Sequence, residues 1–207
     1  MQYWFEALIL GLSLALLVGP ILIAQFSGVL HDGLKGGMIV GIGVWVSDII
    51  YIIITYLVLI NLKNIEISSI SYQTLGWIGG ALLVLMGIRN FFKSGVVLLD
   101  NERKKHIIYS KHFTKGFLIN TLNPFTVLFW LATLGHYIMV KRVAPEVIVL
   151  IAGTILCCII LTDSLKVYFM SKLNGKFISD NLLTINKISG VALIVFGIIL
   201  FFRSQTL

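Results

Sequence analysis

The stretch from residue 36 to residue 60 reads GGMIVGIGVWVSDIIYIIITYLVLI, and Asp48 is its only charged residue. A helix that crosses a bilayer needs about 20 consecutive, mostly apolar residues. This stretch therefore predicts a transmembrane helix, and it indicates that the chain is an integral membrane protein.

The composition of the whole chain agrees with that interpretation. Apolar residues make up 58% of the 207 residues, charged residues only 12%, and the mean hydropathy is +0.99. Soluble domains usually carry about 25% charged residues. With so little polar sequence, we expect a single transmembrane domain over residues 1–207. We expect no nucleic-acid partner despite the net charge of +7, because the basic residues fall between apolar runs.

Short polar breaks divide the apolar sequence into six predicted spans, so the predicted fold is all-α. The first stretch is too long for a signal peptide and is expected to remain as a span. The first and fourth spans contain interior prolines, which predicts kinks or breaks within them. A five-span fold with one re-entrant segment is the alternative. The six spans are Phe5–Leu30, Gly36–Ile60, Thr74–Phe92, Phe113–Val140, Val147–Phe169 and Leu182–Phe202.

Lysine and arginine residues are unevenly distributed between the two ends of these spans. Twelve fall on the side of the first-to-second, third-to-fourth and fifth-to-sixth loops, and four fall on the other side. Basic loops stay in the cytoplasm, so both termini are expected outside. The long basic loop, residues 93–112, is expected to lie against anionic membrane lipid.

The two halves of the sequence, residues 1–92 and 113–207, resemble each other. Gly80 and Gly87 in the third span match Gly190 and Gly197 in the sixth. The first and fourth spans each contain a proline, and the second and fifth each contain one aspartate. An odd number of spans per half places the halves in opposite orientations, which predicts a 3+3 inverted repeat, as in many secondary transporters.

Several intramembrane residues are candidates for binding a substrate. Interrupted helices at matching positions mark such sites, because their freed backbone groups and half-helix N-termini can hold a carboxylate. Asp48 lies near the midplane, where a charge costs at least ~2.5 kcal/mol, so it is expected to bind a cationic group or carry a proton. The alternative is that Asp48 caps broken backbone in the first span. The predicted substrate-binding residues are Gly19, Pro20, Gln25, Asp48, Asn120, Asn123 and Pro124.

Asp163 is a second candidate for proton coupling, together with Asp48. It precedes Lys166 by three residues in the fifth span. Local charge neutralisation on one helix face is the equally weighted alternative.

Two motifs resemble a known family. The first half contains Leu17-Val18-Gly19-Pro20 followed by the stretch 33–48, and the second half contains the stretch 115–124, KGFLINTLNP. Over nearly the whole chain, the sequence resembles the lysine exporter (LysE) and homoserine/threonine-resistance (RhtB) family. It departs from that family at Val18, where a proline is common.

The resemblance implies proton-driven export of an amino acid or similar small metabolite through the bacterial cytoplasmic (inner) membrane. It also implies a multi-pass protein that forms a homodimer and is not an enzyme. We expect no cofactor and no bound metal.

Two other functions remain as alternatives. A divalent metal-cation exporter of the wider LysE superfamily would need several intramembrane carboxylate, His or Cys ligands. A membrane thiol-redox enzyme would need cysteines in both halves, whereas Cys157 and Cys158 are adjacent in one half.

Overall fold

The fold was analysed in a computed structural model, which describes residues 2–16, 19–62, 72–92 and 109–173 and, at intervals, residues between 184 and 202. These residues are helical apart from short connections, which agrees with the all-α prediction. The helices are α1 (Gln2–Leu16), α2 (Pro20–Leu62), α3 (Tyr72–Phe92), α4 (Tyr109–Thr121), α5 (Pro124–Gly135) and α6 (Pro145–Lys172). A π-helical turn, His136–Val140, continues α5. The described residues between 184 and 202 are also helical and are called the C-terminal segment below.

Helix α2 is two helices joined by a sharp break. Its 43 residues include Asp32 and Gly33, whose backbone angles are not helical. Gly33 has a φ of +62°, a left-handed conformation that glycine adopts without a steric penalty. Before and after the break, Gly28 and Gly36 lie against each other's backbone. The break falls between residues 30 and 36, where the sequence predicts the connection between the first and second spans.

The predicted proline interruption of the fourth span is confirmed, whereas the interruption of the first span includes residues 17–18, which lie outside the described residues. Helix α1 ends at Leu16 and α2 begins at Pro20, while α4 ends at Thr121 and α5 begins at Pro124. At the second interruption, α4 and the helix from Pro124 to Val140 meet at 60°. The backbone N–H of Phe125 donates to Asn123 Oδ1 at 3.1 Å, which caps α5. Proline suits the first position of a helix because the N–H it lacks would have no partner there.

Two of the described helices, or three if a bent pair counts as one span, are long and apolar enough to cross a membrane. The stretches Pro20–Asn61 and Pro145–Lys172 satisfy this by themselves, and the bent pair of α4 and α5 adds a third if it is counted as one span. Tyr3–Leu14 and Gly79–Phe92 are shorter apolar helices. At 1.5 Å per residue, an unbroken α2 would be about 65 Å long, roughly twice the hydrocarbon thickness, so its break has a clear physical reason. The count of six spans stays a prediction.

Helices from the two halves of the chain pack against each other. Helix α4 packs on α2, and α1 packs on α6. Trp130, Leu134, Ile151 and Ile155 lie in the larger apolar core. A smaller core joins residues 26–29 of α2 to Val167 and Met170 of α6.

The stripe of small and polar residues in α2 faces the interior. Gly37, Gly41, Val44, Asp48 and Thr55 are buried, and Tyr51 is half-buried. The opposite face of the helix exposes large aliphatic residues, which suits contact with lipid. These exposed residues are Ile42, Ile49, Ile50, Ile53, Ile54, Leu57 and Val58.

Helix α3 and the C-terminal segment cross at two pairs of glycines. A Cβ on Gly80 would lie 2.7 Å from the carbonyl oxygen of Gly197, and a Cβ on Gly87 would lie 2.6 Å from that of Gly190. Such glycines allow the two backbones to approach closely. Most of the basic loop 93–112 lies outside the described residues, as do Lys63, Lys176 and Arg203.

Candidate functional site

A cavity of about 90 Å³ lies where the two proline interruptions meet. Its lining includes residues from α1, α2, α3, α4, α5, α6 and the C-terminal segment. Seven of the sequence candidates border it, and Pro124 is the one that does not. These seven residues are Gly19, Pro20, Gln25, Asp48, Asn120, Asn123 and Asp163.

Asp48 is buried in the wall of this cavity, with 4% of its surface exposed. Asn120 Nδ2 donates to its Oδ1 at 2.9 Å, and the indole N–H of Trp130 donates to the same oxygen at 3.0 Å. No described residue donates to Oδ2. Asp48 therefore presents one bound oxygen and one oxygen that can accept a hydrogen bond from a ligand.

The partners of Asp48 come from the second half of the chain. Asn120 lies at the end of α4, and Trp130 lies in α5. Residues 17–18 of the interrupted first span lie outside the described residues, so the alternative that Asp48 caps backbone there stays a prediction. The carbonyl freed at the end of α4 has its own donor, because Tyr51 Oη donates to the Thr121 oxygen at 2.5 Å.

Asp163 is buried beside a cation. Lys166 Nζ lies 3.1 Å from its Oδ1, and the indole N–H of Trp45 donates to its Oδ2 at 3.4 Å. The local pairing that the sequence spacing suggests is thus present. Because Lys166 also lines the cavity, the ion pair belongs to the candidate site.

Gln25 is fully buried in the cavity wall, and its two polar atoms are unsatisfied. Neither Nε2 nor Oε1 has a hydrogen-bond partner among the described residues. Leaving a buried polar atom unpaired costs about 1–3 kcal/mol, so such groups in a cavity wall are suited to bind a ligand.

The remaining candidates position the helix ends at the cavity. Asn123 uses its Oδ1 to cap α5, and Pro124 occupies the first position of that helix. Gly19 and Pro20 stand at the start of α2. Residues at the starts of two helices therefore border one cavity, and the positive ends of helix dipoles favour a negatively charged group nearby.

Two tryptophans, Trp45 and Trp130, contact the charged groups of the site although the sequence candidates do not include them. Each donates to an aspartate in the opposite half of the chain. For Trp130 the sequence holds a signal, since Asn123, Thr126 and Trp130 recur at three and four residues and so share one helix face. Trp45 has no comparable signal.

The cysteines lie away from these groups. Cys157 is exposed, and Cys158 is buried against Gly11 of α1. Within the part of the chain that the structure describes, no three His, Cys, Asp or Glu residues are grouped as a metal site would need.

Buried charges, interrupted helices and a small cavity within apolar helices are features of membrane transport proteins. Comparison with known proteins identifies the class more closely. Residues 12–204 match the family described as LysE type translocator. The chain belongs to this family, and it is therefore an integral membrane protein that acts in transport and is not an enzyme.

Two relatives come from Bacillus subtilis (strain 168). "Putative amino acid efflux protein YcgF" is 26% identical in an alignment 207 residues long, which covers 95% of this chain and 94% of that protein. "Uncharacterized membrane protein YrhP" is 26% identical in an alignment 144 residues long, which covers 63% of this chain and 67% of that protein. No solved structure matches the chain.

Proposed function

We propose that this protein is a secondary transporter that exports amino acids or similar small metabolites across the bacterial cytoplasmic membrane. The observation that carries the proposal is the cavity in which Asp48, two helix N-termini and the unsatisfied Gln25 lie together. An amino acid has an ammonium group that suits Asp48 and a carboxylate that suits the helix N-termini. The name of the relative, "Putative amino acid efflux protein YcgF", supports the same substrate class.

The proposed architecture is six spans in two inverted halves. Reciprocal glycine contacts support it, because a Cβ on Gly80 would lie 2.7 Å from the carbonyl oxygen of Gly197, and a Cβ on Gly197 would lie 2.7 Å from that of Gly80. The pair formed by Gly87 and Gly190 repeats this geometry at 2.6 Å in both directions. Since Gly80 matches Gly190 and Gly87 matches Gly197 in sequence, a two-fold rotation that exchanges the halves would exchange these two contacts.

Equivalent helix contacts between the halves support the same architecture. Helix α1 of the first half packs on α6 of the second through Gly11 and Cys158, while α4 packs on α2 through Gly116 and Val40. The helix interruption and the aspartate follow in the same order in each half. We include the homodimer implied by the family resemblance in the proposal.

The proposed mechanism is alternating access coupled to protons. One half rocks against the other around the cavity, whose charged groups are bound across the two halves by Trp45 and Trp130. Asp48 binds the substrate ammonium in one state and a proton in the other, so that binding of one excludes the other. Asp163 is the second candidate for carrying the proton, with Lys166 as its counter-charge.

Efflux of labelled amino acids from cells carrying Asp48→Asn tests this function. Without the carboxylate, neither ammonium binding nor proton exchange can occur at this position, so we expect efflux to fall to the level of cells without the protein. Glu146→Gln is the matched control, because it makes the same carboxyl-to-amide change at an exposed residue in the first turn of α6. Unchanged efflux by Asp48→Asn at every external pH would rule out the role of Asp48.

A further inference from the structure

The charges around the cavity do not all remain available to a substrate. Among the described lining residues, Asp48, Asp163 and Lys166 are charged. Lys166 and Asp163 form an ion pair with a separation of 3.1 Å, and Trp45 binds the second oxygen of Asp163. The pair carries no net charge and both of its carboxylate oxygens are bound. Among the described lining residues, Asp48 is left as a single uncompensated negative charge.

The other polar groups match one carboxylate. The dipoles at the starts of α2 and α5 supply partial positive charge, and Gln25 supplies an N–H donor and an acceptor that have no partner among the described residues. Together with Asp48, these groups can balance one ammonium and one carboxylate. A free amino acid with an uncharged side chain carries one of each.

The rest of the lining is mostly apolar and offers no second counter-charge. Leu14, Leu22, Val44, Phe129 and Ile159 are among the described lining residues. A charged substrate side chain placed against them would lose its hydration without gaining an opposite charge, and such burial is costly. The cavity, at about 90 Å³, is also well below the roughly 300–1,000 Å³ typical of pockets for drug-sized ligands.

We propose that this transporter selects neutral amino acids and that Lys166 sets this selectivity by neutralising Asp163. The inference rests on the proposed function and adds the substrate class to it. Without Lys166, Asp163 would become a second uncompensated carboxylate beside the cavity. The site could then balance a substrate that carries a second positive charge.

Transport by the purified full-length protein in liposomes tests this, with leucine, lysine and glutamate as labelled probes. For the wild-type protein, we expect leucine to move at least about tenfold faster than lysine or glutamate, equivalent to ~1.4 kcal/mol. For Lys166→Gln, we expect the ratio of lysine to leucine transport to rise by about tenfold or more. A purely structural role of the ion pair would lower all three rates together and leave their ratios unchanged.

Two further variants act as controls. Lys172→Gln makes the same change at an exposed position at the end of α6, outside the cavity, and we expect wild-type ratios from it. The double variant Asp163→Asn/Lys166→Gln removes both charges, so the transport that it retains should still favour leucine. This variant separates the gain of a negative charge from the loss of the lysine side chain.

The outcomes distinguish the substrate class from the function itself. Wild-type protein that moves lysine or glutamate as fast as leucine overturns the inference and leaves amino-acid transport standing. An unchanged ratio for a folded Lys166→Gln protein overturns the role of Lys166. Failure of the wild-type protein to move any amino acid removes both the proposed function and this inference. If Lys166→Gln does not fold, the wild-type ratios and the double variant still decide the substrate class.

Discussion

Asn120 connects three helices through a single buried side chain. From α4, its Nδ2 donates to Asp48 Oδ1 at 2.9 Å and to the Val44 carbonyl of α2 at 3.1 Å. Its Oδ1 accepts from Thr126 Oγ1 of α5 at 2.8 Å. Both donor hydrogens of the amide are used, so the side chain positions Asp48 relative to the interruption before α5. In a low-dielectric interior, such a connected network contributes more than separate hydrogen bonds would.

We predict that Asn120→Ala destabilises the protein and reduces transport. The change removes a donor from Asp48 and an acceptor from Thr126, and leaving buried polar groups unpaired costs about 1–3 kcal/mol. Thermal unfolding in detergent and efflux in cells are the two measurements. Asn61→Ala is the control, because Asn61 is exposed and, among the described residues, bonds only to Leu57 of its own helix. The effect of this change on stability should stay within about 0.5 kcal/mol. Equal stability of the two variants would contradict the proposed importance of the network.

At the level of helices, contact between α2 and α4 depends on glycine. A Cβ on Gly116 would overlap the backbone of Val40, and a Cβ on Gly43 would lie 2.8 Å from the backbone nitrogen of Phe117. Small residues at such crossings allow close packing where a hydrophobic driving force between helices is lacking. The same close approach brings Asn120 within hydrogen-bonding distance of Asp48.

We predict that Gly116→Ala forces α4 away from α2. The added methyl meets backbone atoms, which cannot move aside as a flexible side chain can, so we expect a loss of about 1–3 kcal/mol in unfolding free energy. Gly153→Ala in α6 is the control, since a Cβ there meets nothing within 4 Å of the described chain and removes a helix-interior glycine. That change should stabilise by roughly 0.5–1 kcal/mol. The unfolding free energies of the two variants, measured in detergent, should therefore shift in opposite directions from that of the wild-type protein. Shifts of the same sign and size would exclude the steric explanation.

At the scale of the whole molecule, side chains that are far apart in sequence contact each other at the two ends of the packed helices. At one end, Asp32 pairs with His112, and Lys115 Nζ donates to Ser27 Oγ at 2.8 Å. At the other end, Tyr137 Oη donates to Glu6 at 2.9 Å. The first end contains the break in α2 and the start of α4, which the charge distribution predicts to be cytoplasmic.

We predict that this end faces the cytoplasm and that the N-terminal end faces outward. A membrane-impermeant thiol reagent should label Arg142→Cys in intact cells, because Arg142 is exposed in the connection before α6. Lys172→Cys, exposed at the end of α6, should react only after the membrane is permeabilised. Both changes are made together with Cys157→Ala and Cys158→Ala to remove the native thiols. If intact cells label Lys172→Cys but not Arg142→Cys, the protein has the opposite orientation.

The sequence by itself determined the membrane class, the helical fold, the proline interruption of the fourth span and seven of the residues that border the cavity. These depend on local properties, since hydropathy, proline and an isolated charge act through the chain near them. Only the tertiary structure decided how the charges are bound. Trp130 and Asn120 meet Asp48, and Trp45 meets Asp163, across distances in sequence that no periodicity encodes. Gln25 remains without a partner among the described residues for the same reason, because its surroundings come from helices packed together in three dimensions.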